Sequence, residues 1–223
     1  MKFLQIFILI IVLAFMVSCK NSPKGEKAVT SDAAVVKDNK AATADAKGAT
    51  YTISPGSTIT WNGTKIGGEH TGTINVTKGS FSMDNGMISN GTFTIDMSSL
   101  NNTDLEGEMK GKLEGHLKSA DFFDVATYPT SKFELIKAVK LANDPAVTHL
   151  VSGNLTMKDA TKQVSFKVKI NEAGNTAIIT SPDFVLDRTD FNVKYGSNKF
   201  FDDLKDKAIS DEIGLKLNLK ASK

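Results

Sequence analysis

The feature that most constrains the fold is an alternation of apolar and polar residues that recurs from Tyr51 onward. A period of two places successive side chains on opposite faces of a strand, so each run predicts a strand with one buried face. The clearest run spans 164–170, where Val, Phe, Val and Ile alternate with Ser and Lys. About eight such runs follow one another, and the others include 58–62, 73–77, 92–97, 132–135, 151–157, 184–188 and 213–220.

Short turn signals separate these runs, which predicts that consecutive strands are antiparallel neighbours. The signals are Asn62-Gly63, Lys78-Gly79, Asp84-Asn85-Gly86, Lys158-Asp159-Ala160 and Ala173-Gly174-Asn175. A closed barrel leaves no exposed sheet edge. We therefore predict an all-β fold, an antiparallel β-barrel of about eight strands. A two-sheet sandwich would give nearly the same pattern and stays open as an alternative.

One segment has a helical period instead. Leu or Met recurs every fourth residue over 105–117 among charged residues, which predicts an amphipathic helix beside the barrel. Thr103 and Glu106 have the spacing of a capping box. Three glycines interrupt the helix and suggest a close approach to the barrel wall: Gly107, Gly111 and Gly115. The segment 119–130 that follows is rich in aromatic residues and predicts an ordered loop.

The N-terminus has the composition of an export signal. The apolar stretch from Phe3 to Val17 is shorter than the about 20 residues that span a bilayer, and it fits the core of a signal peptide. Ser18 then precedes Cys19, the one cysteine of the chain, in an arrangement that resembles the lipobox of bacterial lipoproteins. We expect residues 1–18 to be the signal peptide and Cys19 to carry lipid. An ordinary signal peptide with an unmodified cysteine is the alternative.

Residues 19–49 are expected to form the lipidated Cys19 and a disordered tether, and residues 50–223 the barrel domain. The tether has no aromatic residue and no Leu, Ile or Met, so it can bury little apolar surface. A weak helix in its Ala-rich part is the alternative. Several acyl chains on one cysteine hold a protein stably on a membrane. Since Lys20 rather than Asp follows Cys19, we expect an envelope protein anchored to the outer membrane and facing the periplasm.

The charges and motifs exclude several classes of function. The formal net charge is +2 with no basic block, which does not indicate a nucleic-acid partner. No G-x-S-x-G, P-loop, dinucleotide or zinc spacing occurs, so no cofactor, metal or enzymatic reaction is predicted. His116 with Asp121 is the one general-base arrangement that the sequence allows, and a structural role for His116 at the helix end is favoured over it.

A family resemblance rests on several motifs in order. The segment from His116 to Val125, then Tyr128-Pro129-Thr130 and Phe133, resembles the signature of the YceI-like, polyisoprenoid-binding proteins. The other matching positions are Trp61, His70-Thr71-Gly72, the run from Gly153 to Lys158, Thr161-Lys162, the run from Asp187 to Phe191, Val193 and Tyr195-Gly196. Together they extend from Tyr51 to Ala221. Asn192 and Asp159 stand where many relatives have Gly, and both residue types tolerate positive φ.

The resemblance implies a lipocalin-like barrel that binds a long polyisoprenoid or other amphiphilic lipid in its interior. The inner-face candidates for lipid contact are Trp61, Phe93, Ile95, Phe122, Phe123, Phe133, Leu155, Phe166, Val168, Phe184, Leu186, Phe191, Leu215 and Leu217. The polar candidates for the head group at the rim are His70, His116, Asp121, Arg188 and Tyr195.

Arg188 shares its parity with Phe184 and Leu186, so it should face the interior or the rim, where a buried charge needs a partner. Asp187, Asp190, Asp121 and Asp124 are the candidates for that partner. The expected function is lipid carriage. A filled barrel that serves as an envelope interaction or stress module, and a lipocalin-like enzyme, remain the alternatives. The sequence indicates no oligomeric state.

Overall fold

A computed structural model describes residues 22–34, 48–142 and 144–223. The predicted signal peptide, Cys19 and the part of the predicted tether at 35–47 lie outside the described residues. The strands are β1 (Glu26–Lys27), β2 (Val29–Asp32), β3 (Ala49–Ile53), β4 (Thr58–Lys65), β5 (Gly68–Asp84), β6 (Met87–Asn102), β7 (Thr130–Lys140), β8 (His149–Met157), β9 (Ala160–Ala173), β10 (Thr176–Thr180), β11 (Phe184–Asp187) and β12 (Ile209–Ser222). The helix α1 (Gly107–Lys118) and two 3-10 turns, Arg188–Phe191 and Lys205–Lys207, complete the described elements.

The sheet closes into a ring of eight strands. β4 pairs with β5 on one side and with β12 on the other, and the order around the ring is β4-β5-β6-β7-β8-β9-β10-β12. Every pairing in this ring is antiparallel. β3 continues the wall beyond β4 by pairing with β5 and β12. The predicted barrel is confirmed, and the sandwich alternative is wrong.

Three of the predicted turns join consecutive strands. Asn85 (φ 50°) and Gly86 (φ 71°) have the two positive φ values of a tight hairpin turn between β5 and β6. Turns also separate β8 from β9 and β9 from β10. In the first of these, Lys158 rather than Asp159 takes the positive φ. Asp159 instead accepts a hydrogen bond of 2.9 Å from the amide of Asn192, which has φ 59° as predicted.

The other two turn predictions are wrong. Asn62 and Gly63 lie inside β4, where both pair with neighbouring strands on each side. Lys78 and Gly79 lie inside β5 beside an irregularity in its pairing with β6. A Cβ on Gly79 would lie 2.6 Å from the carbonyl oxygen of Thr92, so glycine here allows a close approach of two strands.

The predicted helix exists, but it starts later than its capping signal. Thr103 is held by hydrogen bonds from its N–H and its hydroxyl to the carbonyl of Thr71, so it continues the sheet and does not cap α1. Glu106 precedes the helix and makes no side-chain cap. The space beside the three helix glycines is open, which makes the predicted close approach to the wall wrong. Leu117 packs against the barrel core.

The disordered tether is wrong for the part that the structure describes. β1 pairs in parallel with β11, and β2 pairs antiparallel with β9. The edges of β9 and β11 offer unpaired backbone groups, and a segment can satisfy them without apolar side chains. Composition therefore could not reveal this pairing. Within residues 22–34, 48–142 and 144–223, no helix is long and apolar enough to cross a bilayer.

His149 gives the fold a predicted dependence on pH. His149 is 4% exposed, and burial lowers its pKa below the ordinary value of 6.5, helped by the charge of Lys140 and only partly opposed by the backbone of Gly86. The unfolded chain therefore binds a proton at His149 more readily than the folded protein does. We expect the free energy of unfolding to fall as the pH drops below about 6.5. Denaturant titrations from pH 8 to 5 should show a shallower dependence in His149→Gln, and equal slopes would contradict this assignment.

A candidate lipid cavity inside the barrel

The interior of the barrel contains two adjoining apolar cavities. The aromatic lobe has a volume of about 110 Å³, and the helix-side lobe one of about 130 Å³. They share five lining residues, which are Ile59, Ile95, Leu155, Leu186 and Leu215. The two lobes therefore follow one another along the interior rather than lying in separate parts of the fold.

Four of the residues that line the aromatic lobe are phenylalanines, Phe93, Phe133, Phe166 and Phe184. They belong to a series in which each ring contacts the next at centroid distances of 4.7 to 6.3 Å, in the order Tyr51, Phe81, Phe93, Phe133, Phe166 and Phe184. Strand register creates part of this series, since Phe93 and Phe133 are direct partners on β6 and β7. Gly153 makes room for the ring of Phe133, because a Cβ there would lie 2.4 Å from Cζ.

The helix-side lobe is closed by α1 and the aromatic loop. Leu117, Phe122 and Phe123 line it, and the N–H of Phe123 donates to the carbonyl of Leu117 at 3.1 Å. The prediction of an ordered aromatic loop agrees with this arrangement. On the opposite strands, Trp61 lies over Gly72, where a Cβ would come within 2.5 Å of the indole.

Arg188 lies in the wall of the helix-side lobe and is 1% exposed. Its guanidinium donates hydrogen bonds to the carbonyls of Ser210 at 2.9 Å, Val193 at 2.6 Å and Ile209 at 3.1 Å. These bonds tie the 3-10 turn at 188–191 to the start of β12. Arg188 is therefore a structural residue in addition to lining the lobe.

The carboxylate that forms an ion pair with Arg188 is Asp211, at 3.7 Å, whereas the predicted partner Asp187 acts on it through its charge without forming an ion pair. Sequence reasoning missed it because Asp211 lies on β12, far along the chain. Burial lowers the pKa of Arg188, and the charges of Asp211 and Asp187 oppose this effect. The guanidinium carbon also lies over the ring of Phe122, 5.4 Å from its centroid, which joins Arg188 to the aromatic loop.

Asp187, next to Arg188 in the chain, is a second charged group that stabilises the same part of the wall. Asp187 accepts hydrogen bonds from Lys199 at 2.6 Å and from the N–H and hydroxyl of Thr189. Burial alone would raise the pKa of Asp187, but these hydrogen bonds outweigh it and hold the pKa below its ordinary value. Lys199 carried no sequence signal for this role, since it lies in an irregular segment.

Among the other polar candidates, His116 and Tyr195 contact each other, but none of the four lines either lobe. His70 pairs at 2.8 Å with Asp104, which lies in the loop before α1. The ring of His116 packs 4.5 Å from Tyr195 and 5.8 Å from Phe122. Asp121 is exposed. In the described part of the chain, no group of three or more His, Cys, Asp or Glu side chains is arranged to hold a metal ion.

All of the predicted inner-face residues except Phe191 line one or both lobes. Phe191 is fully buried in the 3-10 turn after β11 and lines neither. Ser131 in the helix-side lobe was missed because a small polar residue has no apolar parity signal. Among the described residues, the hydroxyl of Ser131 and the indole nitrogen of Trp61 are buried without a hydrogen-bond partner, and both residues line this lobe.

Residues 51–221 match the YceI-like domain, and the chain belongs to this family. A UPF0312 protein of Pseudomonas putida is 44% identical over 59 residues, which are 26% of this chain and 29% of that relative. The matched region of this chain thus spans less than a third of the length of this curated relative.

Solved structures show the same fold. BcnA of Burkholderia cenocepacia superposes with a TM-score of 0.57 at 22% identity, covering 74% of this chain and 96% of BcnA. A polyisoprenoid binding domain from Saccharophagus degradans gives a TM-score of 0.56 at 14% identity over 77% and 97% of the two chains. A YceI protein of Campylobacter jejuni gives 0.51 at 18% identity over 67% and 84%.

Proposed function

We propose that this protein binds and carries a long-chain amphiphilic lipid, of the polyisoprenoid kind, inside its barrel. The observation that carries the proposal is the pair of adjoining lobes with almost wholly apolar walls. A barrel of about eight strands has room for one slim ligand. Each buried CH₂ group contributes roughly 0.8 kcal/mol to binding before ordering costs, so a few isoprene units supply ample affinity.

The polar end of the lipid belongs in the helix-side lobe. A head group among the rings of the aromatic lobe would lose its hydrogen bonds to water, at a cost of several kcal/mol. The helix-side lobe offers Arg188 and the unpartnered groups of Trp61 and Ser131. In this arrangement the hydrocarbon chain contacts Phe122 and Phe123 and continues into the aromatic lobe, while Arg188 lies closer to the head.

The fluorescence of Trp61 tests this function directly. Trp61 is the one tryptophan of the chain and lines the helix-side lobe, so a ligand there changes its surroundings. We expect a saturable change in emission when a long-chain prenol is titrated into the protein, complete at about one lipid per chain. A short-chain prenol of the same head group is the control and should bind at least tenfold more weakly. Unchanged emission with the long prenol would contradict lipid binding.

A filled barrel that acts as an envelope interaction module is the second candidate. The free volumes of the lobes lie below the about 300–1,000 Å³ of usual ligand pockets, which favours this candidate. Lipid binding therefore requires the side chains lining the lobes to move apart. The two candidates differ in the titration above, because a filled barrel leaves the emission of Trp61 unchanged. Neither candidate assigns a catalytic role to His116 or Asp121.

We further propose that Cys19 carries the lipid anchor that holds the protein on the envelope, at the periplasmic face of the outer membrane. The apolar stretch before Cys19 and its place as the chain's one cysteine support this assignment. In Cys19→Ser we expect the protein to move from the membrane fraction to the soluble fraction after cell lysis. Ser18→Ala, which keeps a small residue before the cysteine, should stay in the membrane fraction. Full retention of Cys19→Ser on the membrane would place the anchor elsewhere.

A further inference from the structure

The wall of the barrel has a seam between β9 and β11. These two strands do not pair with each other along 162–165 and 184–185, and residues 26–32, here called the N-terminal strand, lie between them. The N-terminal strand pairs in parallel with β11 through Glu26 and Lys27 and antiparallel with β9 through Val29 to Asp32. The N–H of Ala28 donates to the carbonyl of Val185 at 2.8 Å. The strand therefore closes the wall at the seam.

Two aromatic rings lie behind the N-terminal strand. Phe166 of β9 and Phe184 of β11 stack across the seam with centroids 4.7 Å apart and planes at 3°. Both residues line the aromatic lobe on the inside. Both also line an outer groove of about 70 Å³ at the N-terminal strand, next to Ala28 and Val29. The stacked pair thus separates the surface groove from the interior cavity.

The side-chain contacts that hold the N-terminal strand on the barrel are of a kind that breaks easily. Ala28 is its one buried residue, and Val29 is 69% exposed. The charged contacts are ion pairs at the surface, Lys27–Glu212 at 3.1 Å, Asp32–Lys162 at 2.9 Å and Glu26–Lys167 at 2.7 Å. Surface ion pairs stabilise little, and segments with few buried contacts open before the rest of a fold.

The ring of the barrel does not depend on the N-terminal strand. The eight ring strands close through the pairings of β12 with β4 and with β10, and none of these involves residues 26–32. The YceI-like domain match, 51–221, also begins after the strand. Its departure would therefore uncover the seam and leave the ring intact.

We propose that the seam is a lateral portal through which the hydrocarbon chain of a lipid reaches the aromatic lobe, with the N-terminal strand as its cover. This inference rests on the proposed lipid binding. When the strand leaves and the rings of Phe166 and Phe184 part, an apolar chain passes sideways between β9 and β11. A lateral route lets a long chain enter along its length, so it need not thread past α1 and the aromatic loop.

A reversible cross-link tests the portal. Ser31 and Gln163 are register partners on the N-terminal strand and β9, and their side chains are 3.2 Å apart. In the Cys19→Ser chain, the pair Ser31→Cys/Gln163→Cys should lock the cover when oxidised. We expect uptake of a long-chain prenol from phosphatidylcholine vesicles, followed by Trp61 emission, to slow at least about tenfold, with the same amount bound at equilibrium and full recovery on reduction. The control Thr156→Cys/Thr161→Cys, an exposed pair 2.9 Å apart across β8 and β9, should leave the rate unchanged.

A variant with a loosened cover should act in the opposite direction. Glu26→Lys/Asp32→Lys places like charges against Lys167 and Lys162, and we expect it to speed uptake several-fold. Uptake at the wild-type rate by the oxidised lock would overturn the portal and leave lipid binding in place, because the lipid would then enter at a barrel end. No uptake by the wild type or any variant would contradict the lipid-binding function itself.

Discussion

Arg188→Ala should lower the free energy of unfolding by about 3–5 kcal/mol, the range seen when one partner of a buried ion pair is removed. The change leaves the carbonyls of Val193, Ile209 and Ser210 without the donors that they have now, and it removes one of the two countercharges of Asp211, the other being Lys199 at 3.5 Å. For a chain of this size, the loss corresponds to a fall in melting temperature of roughly 10 °C. Thermal unfolding followed by circular dichroism measures it.

Arg188→Lys is the matched control for charge. Lysine keeps the positive charge, but its single ammonium group lacks the planar array of donors with which the guanidinium reaches several carbonyls. It should therefore recover only part of the lost stability. Prenol titrations on both variants, at a temperature where each is folded, separate stability from lipid contact. A normal melting temperature in Arg188→Ala would contradict the structural role of the guanidinium, and a large loss of affinity in a stable variant would make it chiefly a ligand contact.

Leu155→Trp should reduce lipid binding at least about tenfold, or about 1.4 kcal/mol. Leu155 lines both lobes, so a larger ring there occupies the passage between them and stops the chain from extending through the interior. Overpacking of a core costs about 1–3 kcal/mol, and the adjacent free volume should keep the cost near the lower value. Equilibrium binding of a radiolabelled long-chain prenol measures the effect without interference from the added indole.

Ile136→Trp is the control for that substitution. Ile136 lies on β7 and is exposed, so the same indole on the outside of the barrel should leave prenol affinity unchanged. Both variants should keep the far-ultraviolet circular dichroism of the barrel. If Leu155→Trp binds the prenol as tightly as Ile136→Trp does, the lipid does not occupy the two lobes.

The barrel could be predicted because apolar and polar residues alternate strictly along those strands that have one buried face. Val164, Phe166 and Val168 point inward from β9 in the structure as their spacing indicates. Almost all of the residues predicted to face the interior line one of the lobes. The prediction failed at Phe191, because a 3-10 turn follows β11 and the strand period ends there. Likewise, Lys78-Gly79 resembles a turn, whereas the glycine serves a close strand contact inside β5.

Features that depend on contacts between distant segments could not be predicted from the sequence. Arg188 bonds to backbone carbonyls and pairs with Asp211. The pattern of side chains along the sequence predicts neither contact. The N-terminal strand pairs through its backbone and buries only Ala28, so its composition resembles that of a flexible segment. Its role follows from the unpaired edges of β9 and β11, which appear only once the barrel has closed.

The most direct test of the lipid-binding function is mass spectrometry of the organic extract from natively purified protein. Wild type and Leu155→Trp, purified side by side without detergent, provide the comparison, and Ile136→Trp controls for the added indole. Lipid carriage predicts a long-chain amphiphilic lipid in the wild-type and Ile136→Trp extracts, and at least about tenfold less of it in the Leu155→Trp extract. A wild-type extract without such a lipid, from a protein that also fails to take up added prenol, would contradict lipid carriage and favour the filled barrel.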